Sequence, residues 1–301
     1  EDHGEPDVIT AWRTAPGHHA RGAFNPREIE TIRREMLPSL PCEPAEIGII
    51  SPYNEQVNAL HRELGGGIDV ATVHKFQGRE KEAIILSTVD DQITAFTDDP
   101  NLLNVAVSRA KRQFTLVTSS NEQPDSRNIA DLLAYIDYNG GKITESAIHS
   151  VFDLLYEPYA EARREFLKRH RRISEFDSEN LTYALLERVL EADPAFRHLG
   201  VLCHQPLRQL IRDWTILDDE ERRYALNGAT HLDFLIYNRV SKRPVLAIET
   251  DGYQFHKQGT RQSERDRMKD RILDRYSLPL LRLSTTGTDE EAKIHTLLKR
   301  N

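Results

Sequence analysis

Short apolar runs alternate with amphipathic and polar segments along most of the chain, which is typical of α/β proteins. In the first half, three apolar runs predict buried strands at Ile47–Ser51, Val70–Val73 and Ala83–Thr88. Each run leads into a polar loop or a helical segment. This order predicts a parallel sheet covered by helices.

Two polar stretches divide the sequence. Ser119–Arg127 contains Pro124 and predicts a boundary loop, and Asn128–Tyr138 predicts a helix that ends at Asn139-Gly140-Gly141. An amphipathic helix is predicted over residues 151–170. We therefore expect one domain over residues 1–120, a linker with a helix over 121–150, and a second domain over 151–301.

The second half has a different order of elements. Two apolar runs joined by a short polar turn predict a β-hairpin, with a helix before it and a helix and a strand after it. In chain order these elements are Glu179–Glu191, His231–Asn238, Pro244–Thr250, Arg261–Tyr276 and Leu278–Ser284.

Three carboxylates stand at facing ends of the two hairpin strands: Asp233, Glu249 and Asp251. Acids beside apolar strand residues are costly to bury unless they are paired or bound to a cation. Hard divalent cations prefer such oxygen ligands. The sequence thus predicts a metal site made by these three residues, suited to cleavage of a phosphodiester.

The segments LDFLIYN, LAIETDGYQFH, ERDRMKD and LPLLRLST, in this order, resemble the PD-(D/E)XK nuclease superfamily. The resemblance points to the branch that contains very-short-patch-repair-like endonucleases and the domains that end some bacterial helicases. It runs from about Phe152 to Asn301. It implies a restriction-endonuclease-like α/β fold that cleaves DNA with Mg²⁺ or Mn²⁺.

The resemblance also assigns roles to single residues. Asp233 and Glu249 become the primary metal ligands. The superfamily usually has a lysine two residues after the glutamate, where this chain has Asp251. Lys269 on the following helix is the expected replacement, and would orient water or phosphate.

Two further residues complete the expected site. Glu179 resembles the outer acid of the first helix, and His256 could contact the scissile phosphate or act as general acid or base. Simpler interpretations remain open: His256 as a turn residue, Asp251 as a cap for Gly252, and Lys269 on a solvated helix face with Asp266.

Three segments of the first half, IGIISPYNEQ, VATVHKFQGREKEAIILSTV and NLLNVAVSRAKR, resemble motifs IV, V and VI of superfamily 1 helicases. The resemblance implies the second RecA-like domain of such a motor, with ATP held between this domain and the first one. DNA is the implied partner of both halves of the chain, and RNA is not excluded.

The helicase motifs imply specific contacts. Arg109 would be the arginine finger that stabilises charge on the γ-phosphate. As simpler alternatives, Gly78 is only a turn and Arg109 only a surface charge. The residues implied at the nucleotide are Gln77, Gly78, Arg79, Glu80 and Arg109, and those implied at the nucleic-acid backbone are Thr72 and His74.

The chain contains no G-x-x-x-x-G-K-[ST] motif. Half of the ATP site is therefore not encoded, and we expect ATP to bind only together with a first RecA-like motor domain, the missing partner. Without it, no useful ATPase is expected.

Composition adds constraints. The net charge of −8 means that local basic clusters must attract DNA, and Arg265 and Arg267 lie in such a cluster next to the carboxylates. A solvated face is the alternative for these charges. Cys42 and Cys203 have no zinc or disulfide spacing, and no signal peptide or long apolar stretch is present, so a cytoplasmic protein without a membrane role is expected.

Taken together, these features predict the C-terminal segment of a helicase–nuclease, with a metal-dependent DNA endonuclease in the second domain. Two alternatives remain open. In the first, the nuclease fold has lost its catalytic activity and only binds DNA for the motor. In the second, the chain is part of a translocase that does not cleave DNA.

Overall fold

The computed structural model describes residues 8–251 and 261–300. These residues form two compact units, which divide between His149 and Ser150. The chain is a mixed α/β protein, and each unit has its own sheet and its own core.

Unit 1 contains a RecA-like parallel sheet of six strands, in the order β3-β2-β4-β5-β1-β6. The central strands are apolar on both faces, and every residue of β2 is buried. Helices cover both faces, which is why these strands have continuous apolar runs instead of alternating ones. The strands are β1 Ile9–Thr14, β2 Ile47–Ser51, β3 Asp69–Thr72, β4 Lys81–Ser87, β5 Ala110–Ser119 and β6 Ile143–Glu145.

Two helices of unit 1, α1 and α4, begin at side-chain caps. The Asn25 side chain accepts hydrogen bonds from the N–H groups of Arg27 and Glu28, and Asp99 caps α4 in the same way. The helices are α1 Pro26–Thr31, continued by a π-helical turn at Ile32–Met36, then α2 Asn54–Leu64, α3 Val73–Phe76, α4 Pro100–Ser108 and α5 Asn128–Tyr138.

The linker expected over residues 121–150 is instead part of unit 1. Helix α5 has the predicted bounds, but Ile129 and Ile136 are buried in the core of the unit. Strand β6 pairs in parallel with β1 at the edge of the sheet. The apolar face of α5 and the backbone of β6 both need a partner, and unit 1 provides it.

A buried carboxyl group ties α1 to the end of β4. Glu28 is fully buried and accepts hydrogen bonds from Ser87 Oγ at 2.5 Å, Thr88 Oγ1 at 3.1 Å and Val89 N at 3.0 Å. Burial raises the pKa of Glu28 to about 8, although these hydrogen bonds favour its charged form. Val89 has a left-handed backbone with φ 73°, and its N–H donates to both carboxyl oxygens.

Unit 2 contains a mixed sheet of four strands in the order β10-β9-β8-β7. Strand β8 is antiparallel to both β7 and β9, and β10 pairs in parallel with β9. The β8–β9 hairpin has nearly the predicted bounds. The strands are β7 Leu199–Pro206, β8 His231–Asn238, β9 Pro244–Asp251 and β10 Leu280–Ser284.

Helices pack on both faces of this sheet. Phe234 and Ile248 point to the side covered by α7 and α10, and Leu235 and Ala247 point to the side covered by α8 and α9. The helices are α6 Ala160–Arg169, α7 Asp177–Ala192, α8 Asp219–Leu226, α9 Arg261–Arg275 and α10 Glu290–Arg300.

The single helix expected over residues 151–170 is wrong. Two short 3₁₀ turns, Val151–Leu155 and Glu157–Tyr159, precede α6. The backbone is extended at Tyr156. Pro158 explains why no single helix continues here, because it lacks the N–H group that such a helix needs and its ring clashes with the carbonyl group four residues earlier.

Cys42 and Cys203 are free thiols in different units. Within the described residues, no helix combines the length and the apolar character required to cross a bilayer.

Candidate active site

The β8–β9 hairpin brings two acids face to face. Phe234 pairs with Ile248, and the same register continued by one residue places Asp233 opposite Glu249. The N–H of Thr250 donates a 2.8 Å hydrogen bond to Asp233 Oδ2, which fixes the carboxylate at the strand end. The two acids were predicted from their apolar neighbours, and the structure brings them together.

Lys269 lies on α9, and its side chain is buried between the helix and the hairpin. It is only 8% exposed. Its Nζ donates to Glu249 Oε2 at 2.6 Å and to the carbonyl oxygen of His231 at 3.0 Å. The interpretation of Lys269 as part of a solvated helix face is therefore wrong.

Glu249 has an unusual environment for a carboxyl group. It is 9% exposed, and burial raises its pKa to about 7, opposed by Lys269 and reinforced by Asp233. Its second oxygen, Oε1, is buried and accepts no hydrogen bond from another described residue. An unsatisfied buried carboxyl oxygen is costly, so this geometry indicates a site built to meet a cation or a proton donor.

These residues open into one cavity of about 360 Å³. Side chains from the hairpin and from helices α7, α8 and α9 line this cavity. Its volume is within the size range of ligand sites. The titratable lining residues are Glu179, Tyr224, His231, Asp233, Glu249, Asp251, Arg265, Asp266 and Lys269.

Asp251, the acid in the position of the expected lysine, lies at the same strand end and lines the cavity. Its Oδ2 is 3.8 Å from Arg282 Nε on β10, and Arg282 also donates to Asp270 at 2.6 Å. Gly252, which Asp251 would cap in the simpler interpretation, lies outside the described residues. Asp251 is thus placed near the site but partly engaged by an arginine.

The three-acid metal group expected from the sequence is not assembled. Among residues 8–251 and 261–300, no set of three or more His, Cys, Asp or Glu side chains is arranged to hold a metal ion. The neighbours explain this, because Thr250 holds Asp233, Lys269 holds one oxygen of Glu249, and Arg282 attracts Asp251.

The donor set nevertheless fits a hard divalent cation. Mg²⁺ is usually bound through only one or two carboxylates, with waters and substrate phosphates completing its shell. Asp233 and Glu249 supply two carboxylates on adjacent strands, and Glu249 Oε1 has no hydrogen bond within the part of the chain that the structure describes. We therefore regard Asp233 and Glu249 as the two residues that fit a hard divalent cation.

Glu179 reaches the cavity from the first turn of α7, where the sequence placed the outer acid. Its Oε2 is buried, accepts no hydrogen bond among residues 8–251 and 261–300, and lies 3.6 Å from His204 Nε2. His204 belongs to β7 and has a left-handed backbone with φ 50°. The ladder between β7 and β8 pairs the residues on either side of His204.

Sequence reasoning missed several neighbours of this site. Tyr224 on α8 lines the cavity, and burial raises its pKa to about 12. His231, His204 and Phe176 were also missed. No local pattern marks them, because packing between distant segments brings Tyr224, His231 and Phe176 to the cavity and His204 to Glu179.

The remaining residues of unit 2 that were expected at the site differ in whether they line the cavity. Arg265 lines the cavity from α9, and Arg267 is exposed on the same helix without lining it. His256, the uncertain helper, lies outside the described residues. Its role stays a prediction.

In unit 1, the residues implied at ATP gather at the amino-terminal edge of the sheet. Gln77 ends α3, and Gly78 has φ 82°, as a tight turn requires. Arg79 Nη1 lies 3.0 Å from Asp69 Oδ1, and exposed Glu80 precedes β4. The carbonyl oxygen of Arg109 accepts a hydrogen bond from Lys81 N at 3.1 Å, so the loop and Arg109 are adjacent.

Thr72 and His74 lie elsewhere in unit 1. Thr72 is buried at the carboxyl end of β3, and His74 is exposed in the first turn of α3. Thr72 and His74 thus lie at the junction of β3 and α3, and residues 77–80 follow α3. The contacts implied for both sets stay predictions.

Two family models match the chain. Residues 11–121 match the family described as "AAA domain", and residues 176–300 match "Protein of unknown function (DUF2726)". Each match covers less than half of the chain, and each falls within one unit.

Curated relatives match shorter stretches. An uncharacterized ATP-dependent helicase of Caenorhabditis elegans is 44% identical over 81 residues, 27% of this chain and 5% of the relative. The chicken DNA replication ATP-dependent helicase/nuclease DNA2 is 39% identical over 84 residues, 25% of this chain and 8% of the relative. The rat DNA-binding protein SMUBP-2 is 29% identical over 143 residues, 45% of this chain and 14% of the relative.

A solved structure described as the C-terminal domain of a possible DNA helicase from Lactobacillus plantarum covers 47% of this chain and 86% of its own. The TM-score is 0.33 and the identity is 18%. The chain spans a small part of its curated relatives. Taken with the motifs, the relatives support the resemblance to the C-terminal part of superfamily 1 helicases, and the match of unit 2 is to a family of unknown function.

Proposed function

We propose that unit 2 hydrolyses phosphodiester bonds of DNA with the help of a divalent cation, and that unit 1 supplies half of an ATP-driven motor. The observation that carries the first part is the buried Lys269–Glu249 ion pair opposite Asp233 in one cavity. A lysine and two acids gathered in an accessible pocket are typical of a catalytic site and costly for a purely structural one.

Asp233 and Glu249 would hold the cation. When bound, a hard divalent cation supplies neutralisation of charge at the phosphoryl group and favours attack by water. The contribution of this chain is to hold the two carboxylates at adjacent strand ends, with a hydrogen bond from Thr250 N keeping Asp233 in place.

Lys269 would stabilise the negative charge that develops on the phosphoryl oxygens. Its ammonium has three N–H donors, and Glu249 and the His231 carbonyl accept from it. A third donor is then available to the substrate or the attacking water. Because both contacts fix the ammonium, little reorganisation is needed during the reaction.

DNA as the substrate is supported by the descriptions of the relatives, which include a DNA replication helicase/nuclease and a DNA-binding protein. Arg265 at the cavity and Arg267 beside it add positive charge to a chain with a net charge of −8. Such local charge is what phosphate binding requires.

Cleavage of plasmid and single-stranded DNA with and without Mg²⁺ tests the proposal. Asp233→Asn and Glu249→Gln should abolish cleavage, and chelation of the metal should do the same to the unchanged protein. Matched controls are Asp219→Asn and Glu191→Gln, which change exposed acids on α8 and α7. Wild-type rates in both site variants would overturn the proposal.

A second candidate function is a DNA-binding module without catalysis. Two observations favour it: Asp251 stands where the superfamily has a lysine, and the described residues assemble no three-acid metal group. The same assay separates the two candidates, because the module would bind DNA but leave it intact with Mg²⁺ or Mn²⁺.

A further inference from the structure

Phe176 is an aromatic residue at the mouth of the candidate active site. It directly precedes α7, lines the cavity that contains Asp233 and Glu249, and is 66% exposed. At this exposure, the ring contributes little to the packing of the described residues. Scattered exposed hydrophobic residues are ordinary, so its surroundings decide what it indicates.

The loop that carries Phe176 is held in place by one buried side chain. Asn180 is 1% exposed, and its Oδ1 accepts hydrogen bonds from Ile173 N at 2.8 Å and Ser174 N at 3.1 Å. Its Nδ2 donates to the carbonyl oxygens of Ser174 and Phe176, both at 2.9 Å. Four hydrogen bonds fix the backbone, so the ring is presented by a rigid loop.

Cationic side chains lie close to Phe176 in sequence and in the lining of the cavity. Arg171 and Arg172 are exposed in the segment just before it, and in the described chain neither forms an ion pair with an acid. Arg265 lines the same cavity from α9. Aromatic rings beside cationic side chains are the usual arrangement for single-stranded nucleic acid, with bases stacked on the rings and phosphates near the cations.

We propose that Phe176 stacks on the base of an unpaired nucleotide next to the bond that unit 2 cleaves. This inference rests on the proposed function and narrows its substrate to single-stranded or locally unpaired DNA. A base held in a duplex is already stacked on its neighbours, so its face is not open to this ring.

Binding of a fluorescent single-stranded oligonucleotide, measured by anisotropy in the presence of a chelator, tests the proposal without any cleavage. Stacking contributes about 1–3 kcal/mol per base, so Phe176→Ala should weaken binding roughly 5- to 150-fold. Phe176→Trp should retain the affinity. Tyr138→Ala is the control, since Tyr138 is 90% exposed in unit 1.

An abasic oligonucleotide of the same length identifies stacking as the cause. The unchanged protein should bind it weakly, and Phe176→Ala should produce no further loss. A 2-aminopurine base in the oligonucleotide should be quenched by the unchanged protein and less by the alanine variant. Equal affinities of the two proteins for the normal oligonucleotide, or an equal loss on normal and abasic strands, would overturn the proposal.

These measurements are independent of catalysis. If Phe176→Ala weakens binding but the unchanged protein cleaves nothing with Mg²⁺ or Mn²⁺, the stacking site stands and the hydrolytic function fails. If cleavage is seen but the two proteins bind alike, the hydrolytic function stands and the stacking site fails.

Discussion

At the scale of one side chain, Lys269 shows that packing against neighbouring elements decides the role of a charged residue. Its spacing from Asp266 fits a solvated ion pair on a helix, but α9 faces the hairpin at this position and the ammonium is buried against Glu249. A buried ion pair is a poor source of stability, because desolvation offsets most of the attraction. Its presence in the cavity is better explained by chemistry.

Lys269→Ala should reduce cleavage more than about tenfold, because loss of one contact to developing charge typically costs about 2.7–4 kcal/mol. Single-turnover cleavage rates at saturating DNA measure this. Arg267→Ala is the control on the same helix, since Arg267 is exposed and lies outside the cavity lining. It should weaken binding more than the rate. Small, equal effects from both variants would show that α9 is only a basic surface.

Glu28→Gln should remove a pH dependence from the stability of unit 1. The pKa of Glu28 is raised from 4.5 to about 8, so between these values the folded state holds a proton that the unfolded state has lost. The stabilisation is fully present below pH 4.5, and is lost as the pH rises through 8. The slope is at most about 1.4 kcal/mol of unfolding free energy per pH unit.

Urea unfolding at pH 5, 7 and 9 measures this effect. The chain has two tryptophans, so a Trp214→Phe background leaves Trp12 as the reporter of unit 1. Glu63→Gln, which changes an exposed glutamate on α2, is the matched control. A Glu28→Gln variant with the same pH dependence as the control would show that Glu28 is charged in the folded protein at neutral pH.

Single residues were predictable where their neighbours in sequence define their environment. Asp233 and Glu249 are acids between apolar strand residues, and that pattern alone marked them. Glu28, His204 and Phe176 escaped, because their environments come from segments far away in the sequence. No local pattern encodes such contacts.

At the scale of elements, regular periodicity predicted well, and irregular boundaries did not. The hairpin, the strand Ile47–Ser51 and helix α5 have the expected bounds to within a residue. The helix expected over 151–170 failed at Pro158, and a short strand followed α5 where a linker was expected. A three-residue strand such as β6 is defined by its pairing with β1, which periodicity cannot detect.

Gly141→Ala tests whether this segment is an integral part of unit 1. A Cβ at Gly141 would lie 2.6 Å from the carbonyl oxygen of Ile9 and 2.9 Å from Ile136 Cγ2. We expect a loss of roughly 1–3 kcal/mol in unfolding free energy, as for other overpacked sites. Urea unfolding followed by Trp12 fluorescence measures it.

Gly66→Ala is the control for this substitution, since a Cβ there would meet nothing within 4 Å. If the alanine at position 141 changed the stability of unit 1 no more than the alanine at position 66, this part of the linker predicted over residues 121–150 would not be packed into unit 1.

At the scale of the whole molecule, the chain has two compact units that differ in the known proteins they resemble. Unit 1 carries three helicase motifs and matches helicases among its relatives, and unit 2 matches a family without a known function. The residues implied at ATP lie together on one edge of unit 1, yet the sequence contains no phosphate-binding loop. We therefore propose that a nucleotide site on this edge is completed by another motor domain.

The chain alone should show negligible ATPase. Joined to a first RecA-like motor domain, it should hydrolyse ATP in a manner stimulated by nucleic acid. Arg109→Ala should then lower the rate by a factor on the order of 10³–10⁵ and change ATP binding much less, as expected for an arginine finger. A coupled ATPase assay with and without DNA measures both.

Lys111→Ala is the neighbouring control, because Lys111 is exposed on β5 and pairs with Glu82. Strong ATPase from the chain alone, or full ATPase in the Arg109→Ala protein, would contradict the motor interpretation of unit 1.

The left-handed backbone at His204 also bears on aggregation. Strand β7 is an edge of the second sheet, and an edge strand offers free N–H and C=O groups on which a strand of another molecule can add. His204 interrupts the extended conformation of β7, and Pro206 at its end has no N–H to donate. Only residues 199–203 therefore remain as a regular edge. The irregular backbone that places His204 beside Glu179 thus also limits edge-to-edge association between molecules.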